Sequence, residues 1–263
     1  MATIEERTKE LDELYAKATT QEEYHRIWKA AQEVEKEARA QNLPINVRVR
    51  AALNGFWARY YEVRKFARTR ENIDELYGLV KQATTWIGKE DVELAVNCRY
   101  LLSVIIGQLK EDLEEAGRID EELRQLVKDT GNVPLALRVI NAQGLNAMQR
   151  KDWQEAIAIF TSAEQNFPEA SNVPEARQHL GNTVNNRGLS KLNLSNEMED
   201  LEQKKEMVRS GVQDLLAAMN LYFRVPLIPQ KHLEGIRNRL RVAKDKAKEV
   251  DPDLVRAIEI FVQ

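Results

Sequence analysis

Three asparagines stand at a fixed interval along this chain: Asn97, Asn141 and Asn185 are spaced 44 residues apart, twice. Each lies in a similar stretch: Val96-Asn97-Cys98-Arg99-Tyr100-Leu101, Ile140-Asn141-Ala142-Gln143-Gly144-Leu145 and Val184-Asn185-Asn186-Arg187-Gly188-Leu189. A carboxamide both donates and accepts, so a row of them could pair with the N–H and C=O groups of an extended peptide. At helical spacings of three, four and seven lie Arg138, Leu145 and Met148 around Asn141, and Asn182, Leu189 and Leu192 around Asn185. A surface mixing amides with apolar side chains suits an extended segment better than a small polar metabolite. A second role is open to the same asparagines, that of hydrogen bonds joining neighbouring helical hairpins.

The residues that ordinarily carry catalysis are sparse. His25, His179 and His232 lie far apart, and Glu22-Glu23-Tyr24-His25 holds one Glu-x-x-His where a carboxylate di-metal site needs two. Cys98 falls on an apolar helical stripe, as a packed small residue does. The chain has no phosphate-binding glycine loop, zinc-protease helix motif or nucleophile elbow. The expectation is therefore a non-catalytic protein with no cofactor and no metal.

One stretch is basic and aromatic together. Arg48, Arg50, Arg59, Arg64 and Arg68 interleave with Phe56, Trp57, Tyr60, Tyr61 and Phe66. Such a pattern can bind single-stranded nucleic acid through phosphate pairing and base stacking. It could instead receive an acidic protein segment, or its rings could be core and its arginines partners of nearby carboxylates such as Glu62 and Glu71. The acidic patches at Glu111–Glu115 and Glu197–Glu202 read as solvated helix faces.

The elements that must position these residues are helices almost throughout, because apolar residues recur at helical spacing. The first runs from about Ile4 to Ala18, and Thr19-Thr20-Gln21-Glu22-Glu23 caps a second that Asn42-Leu43-Pro44 stops near Ala40. A third reaches about Phe66, and a fourth spans about Asn72 to Ile87. A fifth starts at Val92, after Gly88-Lys89-Glu90-Asp91, and ends near Gly117. The sixth covers about Asp120–Lys128 before Thr130-Gly131-Asn132. The seventh begins at Pro134, the eighth at Asp152 (stopped by Phe167-Pro168), the ninth near Pro174, and a tenth fills much of 197–222. After Pro226-Leu227-Ile228-Pro229 come closing helices over Gln230–Val250 and Pro252–Phe261, the latter able to cap the core or dock a partner. Short connections make neighbours antiparallel. No Gly/Ser-rich linker divides the chain, so one domain is expected over 1–263.

The middle of the chain resembles a tetratricopeptide repeat. In KDWQEAIAIFTSAEQNFPEA and the helix before it, Gly144, Ala156, Phe160, Ala163 and Pro168 stand at the family's positions. The next unit has Gly188, Gly211, Leu215 and Ala218 there, with about eleven extra residues around Asn196–Lys205. The match covers 137–226, and the period of 44 exceeds the usual ~34. Ile140, Gln143 and Ala147 depart from the tryptophan, leucine and tyrosine the family prefers. The resemblance implies an all-α, right-handed solenoid of about six antiparallel hairpins. It also implies a concave groove, lined by first helices, that binds a peptide or protein segment. The asparagines would then stand roughly 10 Å apart, one helix layer each.

Composition sets the remaining bounds. Hydrophobic residues make up 43% and charged residues 31% of 263, with 11 glycines and 7 prolines, a balance that favours helix over turn-rich sheet. The net charge of −3 supplies no global attraction to nucleic acid or anionic membrane. One cysteine rules out an intramolecular disulfide framework. Acidic residues in MATIEERTKE stand where a signal peptide is basic and then apolar, and the most apolar run, Leu101 to Ile106, is far short of the ~20 residues of a membrane span. A cytoplasmic location without membrane contact is the expectation, with self-association through an end hairpin, or a place as a structural subunit of a larger assembly, left open.

Overall fold

The computed structural model describes residues 2–88, 91–128, 130–226, 228 and 230–262, with the backbone alone of Lys231. Among the described residues there are twelve α-helices and no strand. They are α1 Ile4–Lys17, α2 Gln21–Ala40, α3 Ile45–Lys65, α4 Arg70–Trp86, α5 Val92–Ile105, α6 Leu113–Val127, α7 Val133–Gln149, α8 Trp153–Asn166, α9 Pro174–Leu194, α10 Leu201–Phe223, α11 Gln230–Lys248 and α12 Pro252–Val262. By contacts the chain divides into two compact units: Met1–Gly131 with Pro229–Lys231, and Asn132–Ile228 with His232–Gln263. Lys89, Glu90, Leu227 and Pro229, parts of two loops read from the sequence, lie outside the described residues.

Local chemistry sets most helix ends. Thr20 accepts from the Glu23 N–H while the Glu23 carboxylate accepts from the Thr19 and Thr20 N–H groups, at 2.8 and 2.9 Å. Those backbone donors hold the Glu23 carboxyl down at about 2. Asn132 and Asp152 cap α7 and α8 by accepting from the Leu135 and Glu155 N–H groups, and Asn42, with φ 56°, closes α2 before Leu43 and Pro44.

Two expected boundaries are wrong: the sixth helix starts at Leu113, not near Asp120, and the end of the fifth lies earlier. The fifth helix does not run to Gly117. The chain leaves α5 through a π-helical turn, Ile106–Lys110, and reverses at Glu111, whose φ is 63°. Asp112 then caps α6, its carboxylate accepting from the Glu115 N–H at 3.0 Å. A left-handed residue with a side chain costs about 1–2 kcal/mol. Two contacts hold it: Asp112 N–H reaches Ile106 C=O at 3.2 Å, and Arg68 binds both the Gln108 carbonyl and the Glu111 carboxylate.

In the first unit, α1, α2 and α3 enclose a core of Leu11, Tyr24, Ile27, Ala31 and Ala51. Leu76 and Val80 of α4, Leu94 and Leu101 of α5 and Leu123 of α6 are also buried. By length and hydropathy Val92–Lys110 reaches the minimum for a membrane span, which the short run Leu101–Ile106 did not suggest. Most of that helix is buried within the unit.

The second unit carries the region of family resemblance. Here α7 packs on α8 and α9, α8 on α9, and α9 on α10. Leu137, Ala163, Leu180, Leu215, Ile236 and Ile258, one from each helix of the unit, share a single core. A Cβ on Gly144 would stand inside the Phe160 ring, so the bare backbone of α7 seats that ring. The phenylalanine ring thus packs within its own hairpin. In the following hairpin a Cβ on Gly188 would lie 2.8 Å from the Gly211 carbonyl and 3.2 Å from Leu215, the residue at the position matching Phe160. The extra residues there lengthen both helices: α9 and α10 have 21 and 23 residues against 17 and 14 in α7 and α8.

Candidate recognition site

Along α9 polar side chains point nearly all the way round. Thr183, Asn185, Asn186, Arg187 and Ser190 are buried together with Leu180, Val184 and Leu192. A helix enclosed on every side must satisfy each of these groups through its neighbours, because an unmet buried polar group costs about 1–3 kcal/mol.

On the face towards α7 and α11 the links are made by amides. Asn186 donates from Nδ2 to Asn141 Oδ1 at 2.9 Å, and Arg239 of α11 donates to Asn186 Oδ1 at 3.4 Å. Arg138 donates from Nε to His179 Nε2 at 3.0 Å, which makes that nitrogen an acceptor and puts the imidazole proton on Nδ1. Burial first, and then the charge of Arg138, push the His179 pKa well below its ordinary value. One turn along, the Tyr222 hydroxyl of α10 donates to Asn182 Oδ1, and the Tyr222 ring meets His232 edge-on at 5.8 Å.

On the opposite face the links are ionic. Arg187 grips Asp214 of α10 with both arms, at 2.9 and 2.8 Å, and also reaches Glu164 of α8. Lys191 closes the set at 2.8 Å from both Asp214 and Ser210. The cluster pins three helices together near Gly188 and Gly211, where the backbones of α9 and α10 approach closely.

The expected peptide-binding residues therefore divide. Arg138 and Asn141 of α7 and Asn182 and Asn185 of α9 belong to one unit, and Leu145, Met148 and Leu189 of the same helices are half-buried, Met148 against Ala147, Ala156 and Phe160. Asn97 belongs to the other unit, on α5. All three spaced asparagines are buried, at 9%, 5% and 8% exposure, so none presents a freely solvated amide. Asn141 bridges two hairpins. The Oδ1 atoms of Asn97 and Asn185 are buried and meet no donor among the described residues. Asn186, Asp214 and His179 were not expected as partners. The run of polar residues round α9 was a visible sign that this helix is enclosed; the Arg187–Asp214 pairing, 27 positions apart, left no local sign.

No protein-family model, curated protein or solved structure matches the chain.

Every arginine of the basic, aromatic helix and its extension is engaged within its own unit. Arg48 binds Glu35 at 2.8 Å, Arg50 binds Asp91 at 3.2 Å, and Arg68 binds Glu111 at 2.8 Å. Arg59, only 8% exposed, lies 3.0 Å from Glu62 and 2.8 Å from Glu75, while Arg64 donates to the Tyr60 hydroxyl at 3.4 Å. Phe56 and Tyr60 are buried, and Trp57 packs against Tyr60 and Tyr100. Glu62, itself nearly inaccessible, also faces His25 at 3.1 Å.

Among the described residues no three of His, Cys, Asp and Glu converge in a metal-holding group. Cys98 is buried, and that burial pushes its thiol up to about 12. In the last helix Leu254 and Ile258 are buried, Phe261 stacks on Phe223 at 6.1 Å, and Ile260 stands 74% exposed.

Proposed function

We propose that the chain is a non-catalytic binding scaffold of tetratricopeptide-like helical hairpins, and that its second unit receives an extended protein or peptide segment along α7 and α9. The observation that carries this reading is the buried Oδ1 of Asn185, which has no donor among the described residues. An acceptor in that condition costs about 1–3 kcal/mol, and a backbone N–H brought by a ligand recovers the cost once the side chain turns to meet it. Half-buried Leu189, one turn further along α9, supplies an apolar seat on the same helix face, and Leu145 and Met148 of α7 are also half-buried. The matching glycine contacts, Gly144 with Phe160 and Gly188 with Leu215, support a repeat of one hairpin design at the 44-residue spacing.

Asn141 enters this reading as a spacer that sets the distance between two hairpins, and Asn185 as the contact. The test is selection of random displayed peptides on the full chain, followed by affinity measurement with Asn185→Ala. Selected peptides should lose about tenfold in affinity, the loss of one good hydrogen bond to a buried partner, with helicity unchanged. Full affinity on the variant, or no enriched peptide at all, overturns the proposal. Asn97→Ala measured in parallel reports whether the similarly unmet carbonyl of the first unit shares the role.

A further inference from the structure

A cleft of about 180 Å³ opens between α2, α3 and α4 of the first unit. Its floor is aromatic. Trp28 and Phe56, 3% and 7% exposed, meet there with ring centroids 6.0 Å apart, and Trp86 stands at the mouth, 39% exposed. The floor is held by a close approach of backbones: a Cβ on Gly55 of α3 would collide with Ala31 of α2 and press on the Trp28 ring. Room for the cleft comes from the small residues Ala52 and Ala83 on its walls.

The rim carries charge. The Glu35 carboxylate accepts four N–H contacts on a single oxygen: from Arg48 at 2.8 and 3.1 Å and from Arg39 at 3.3 and 3.4 Å. Arg48 also lies over the Trp86 ring, 5.8 Å from its centroid. Two guanidinium groups share one carboxylate, so the rim is positive by one charge. The aromatic face most open to a cation is already covered by Arg48.

Size and charge together select an occupant. Ligand pockets that hold free small molecules run to about 300–1,000 Å³. A space of 180 Å³ holds one side chain, whose affinity must come from a longer chain around it. A cationic guest would meet two arginines and a ring already in use. We propose that this cleft seats one apolar side chain, leucine or an aromatic, of a protein segment whose neighbouring residues are acidic. The apolar group enters between Trp28, Phe56 and Trp86, and the flanking carboxylate joins Arg39 and Arg48 at the rim, relieving their shared dependence on Glu35. This site is separate from the α7 and α9 face and stands or falls without it.

The probes are three blocked peptides, Ser-Glu-Leu-Glu-Ser, Ser-Lys-Leu-Lys-Ser and Ser-Glu-Ser-Glu-Ser, added to the full chain labelled with 5-fluorotryptophan. The acidic leucine peptide should shift the fluorine resonances of Trp28 and Trp86 saturably and leave that of Trp153 in place. Its affinity should fall about tenfold with Trp86→Ala, an exposed position whose loss leaves the fold intact, and about threefold with Arg48→Met, which keeps the stem and removes the charge. The proposal is overturned by the absence of a saturable shift, by equal or better binding of the lysine peptide, or by equal binding of the peptide lacking leucine. The first result means an empty cleft, the second a cation site, and the third a surface charge effect.

Discussion

Asn186 of α9 donates to Asn141 of α7 across 2.9 Å, and the two amides are 7% and 5% exposed. One buried hydrogen bond thus links two hairpins. Asn141→Ala leaves the Asn186 amide without its acceptor and should cost about 1–3 kcal/mol in urea unfolding. Replacing both asparagines with alanine should cost less than the sum of the two single alanine losses, since the bond they share is then lost once. A double-mutant cycle measures the coupling, and an additive result would mean that the bond contributes nothing.

Two glycines in helices should respond with opposite signs to the same change. Gly78 has open space where a Cβ would go, so Gly78→Ala should stabilise by about 0.5–1 kcal/mol through helix propensity alone. At Gly144 the added methyl meets the Phe160 ring, and overpacking of about 1–3 kcal/mol outweighs the same propensity gain. Thermal unfolding of both variants decides it; a Gly144→Ala protein melting above the parent would refute the ring-on-backbone contact.

The arginines of the basic helix are not equivalent reporters. Arg59 is nearly inaccessible and neutralises Glu62, which is more deeply buried still, so Arg59→Glu should cost about 3–5 kcal/mol. Arg50 and Arg68 have side chains about half exposed, and their reversal should cost less than about 1 kcal/mol. A low-salt gel shift with single-stranded nucleic acid is therefore informative with Arg50→Glu and Arg68→Glu, and uninformative with Arg59→Glu, whose failure would be one of folding.

His179 gives the molecule an acid-sensitive bond. Its pKa in the folded chain is depressed, so below about 6.5 the unfolded chain takes up a proton that the folded one refuses. Its contribution is complete above that pH and is lost as pH falls, by at most about 1.4 kcal/mol per pH unit. The His179→Gln variant should show a flatter stability profile between about pH 6.5 and 5 than the parent. Equal slopes would show that the imidazole is protonated in the folded state and that Arg138 does not donate to it.

Much of this fold can be read locally. Thr20 with Glu23, Asn132 with Pro134, and Asp152 each declare a helix start within a few residues, and the structure begins α2, α7 and α8 at those points. The break after α5 escaped because the apolar pattern continues through it: Ile105, Ile106 and Leu109 are all buried, and only the cap at Asp112 marks the reversal. The candidate site was legible as a spacing and not as a contact. Neighbouring residues on a helix differ by about 100° in direction, so the choice between Asn185 and Asn186 as the partner of Asn141 depends on how α9 is rotated against α7. That rotation is fixed by distant groups, the Arg187–Asp214 clasp among them.

The rings laid on bare backbone, Phe160 on Gly144, Tyr222 on Gly181 and Trp28 on Gly55, have a consequence for ancestry. A side chain at Gly144 or Gly181 meets a buried ring and one at Gly55 meets first the Ala31 methyl and then the Trp28 ring, so a descendant that changes its surface residues is still obliged to keep each of these pairings. Overall identity decays freely in such a lineage while these paired positions do not. A search for remote kin of this chain should therefore weigh the co-occurrence of a helical glycine and its facing ring above any similarity score summed along the sequence.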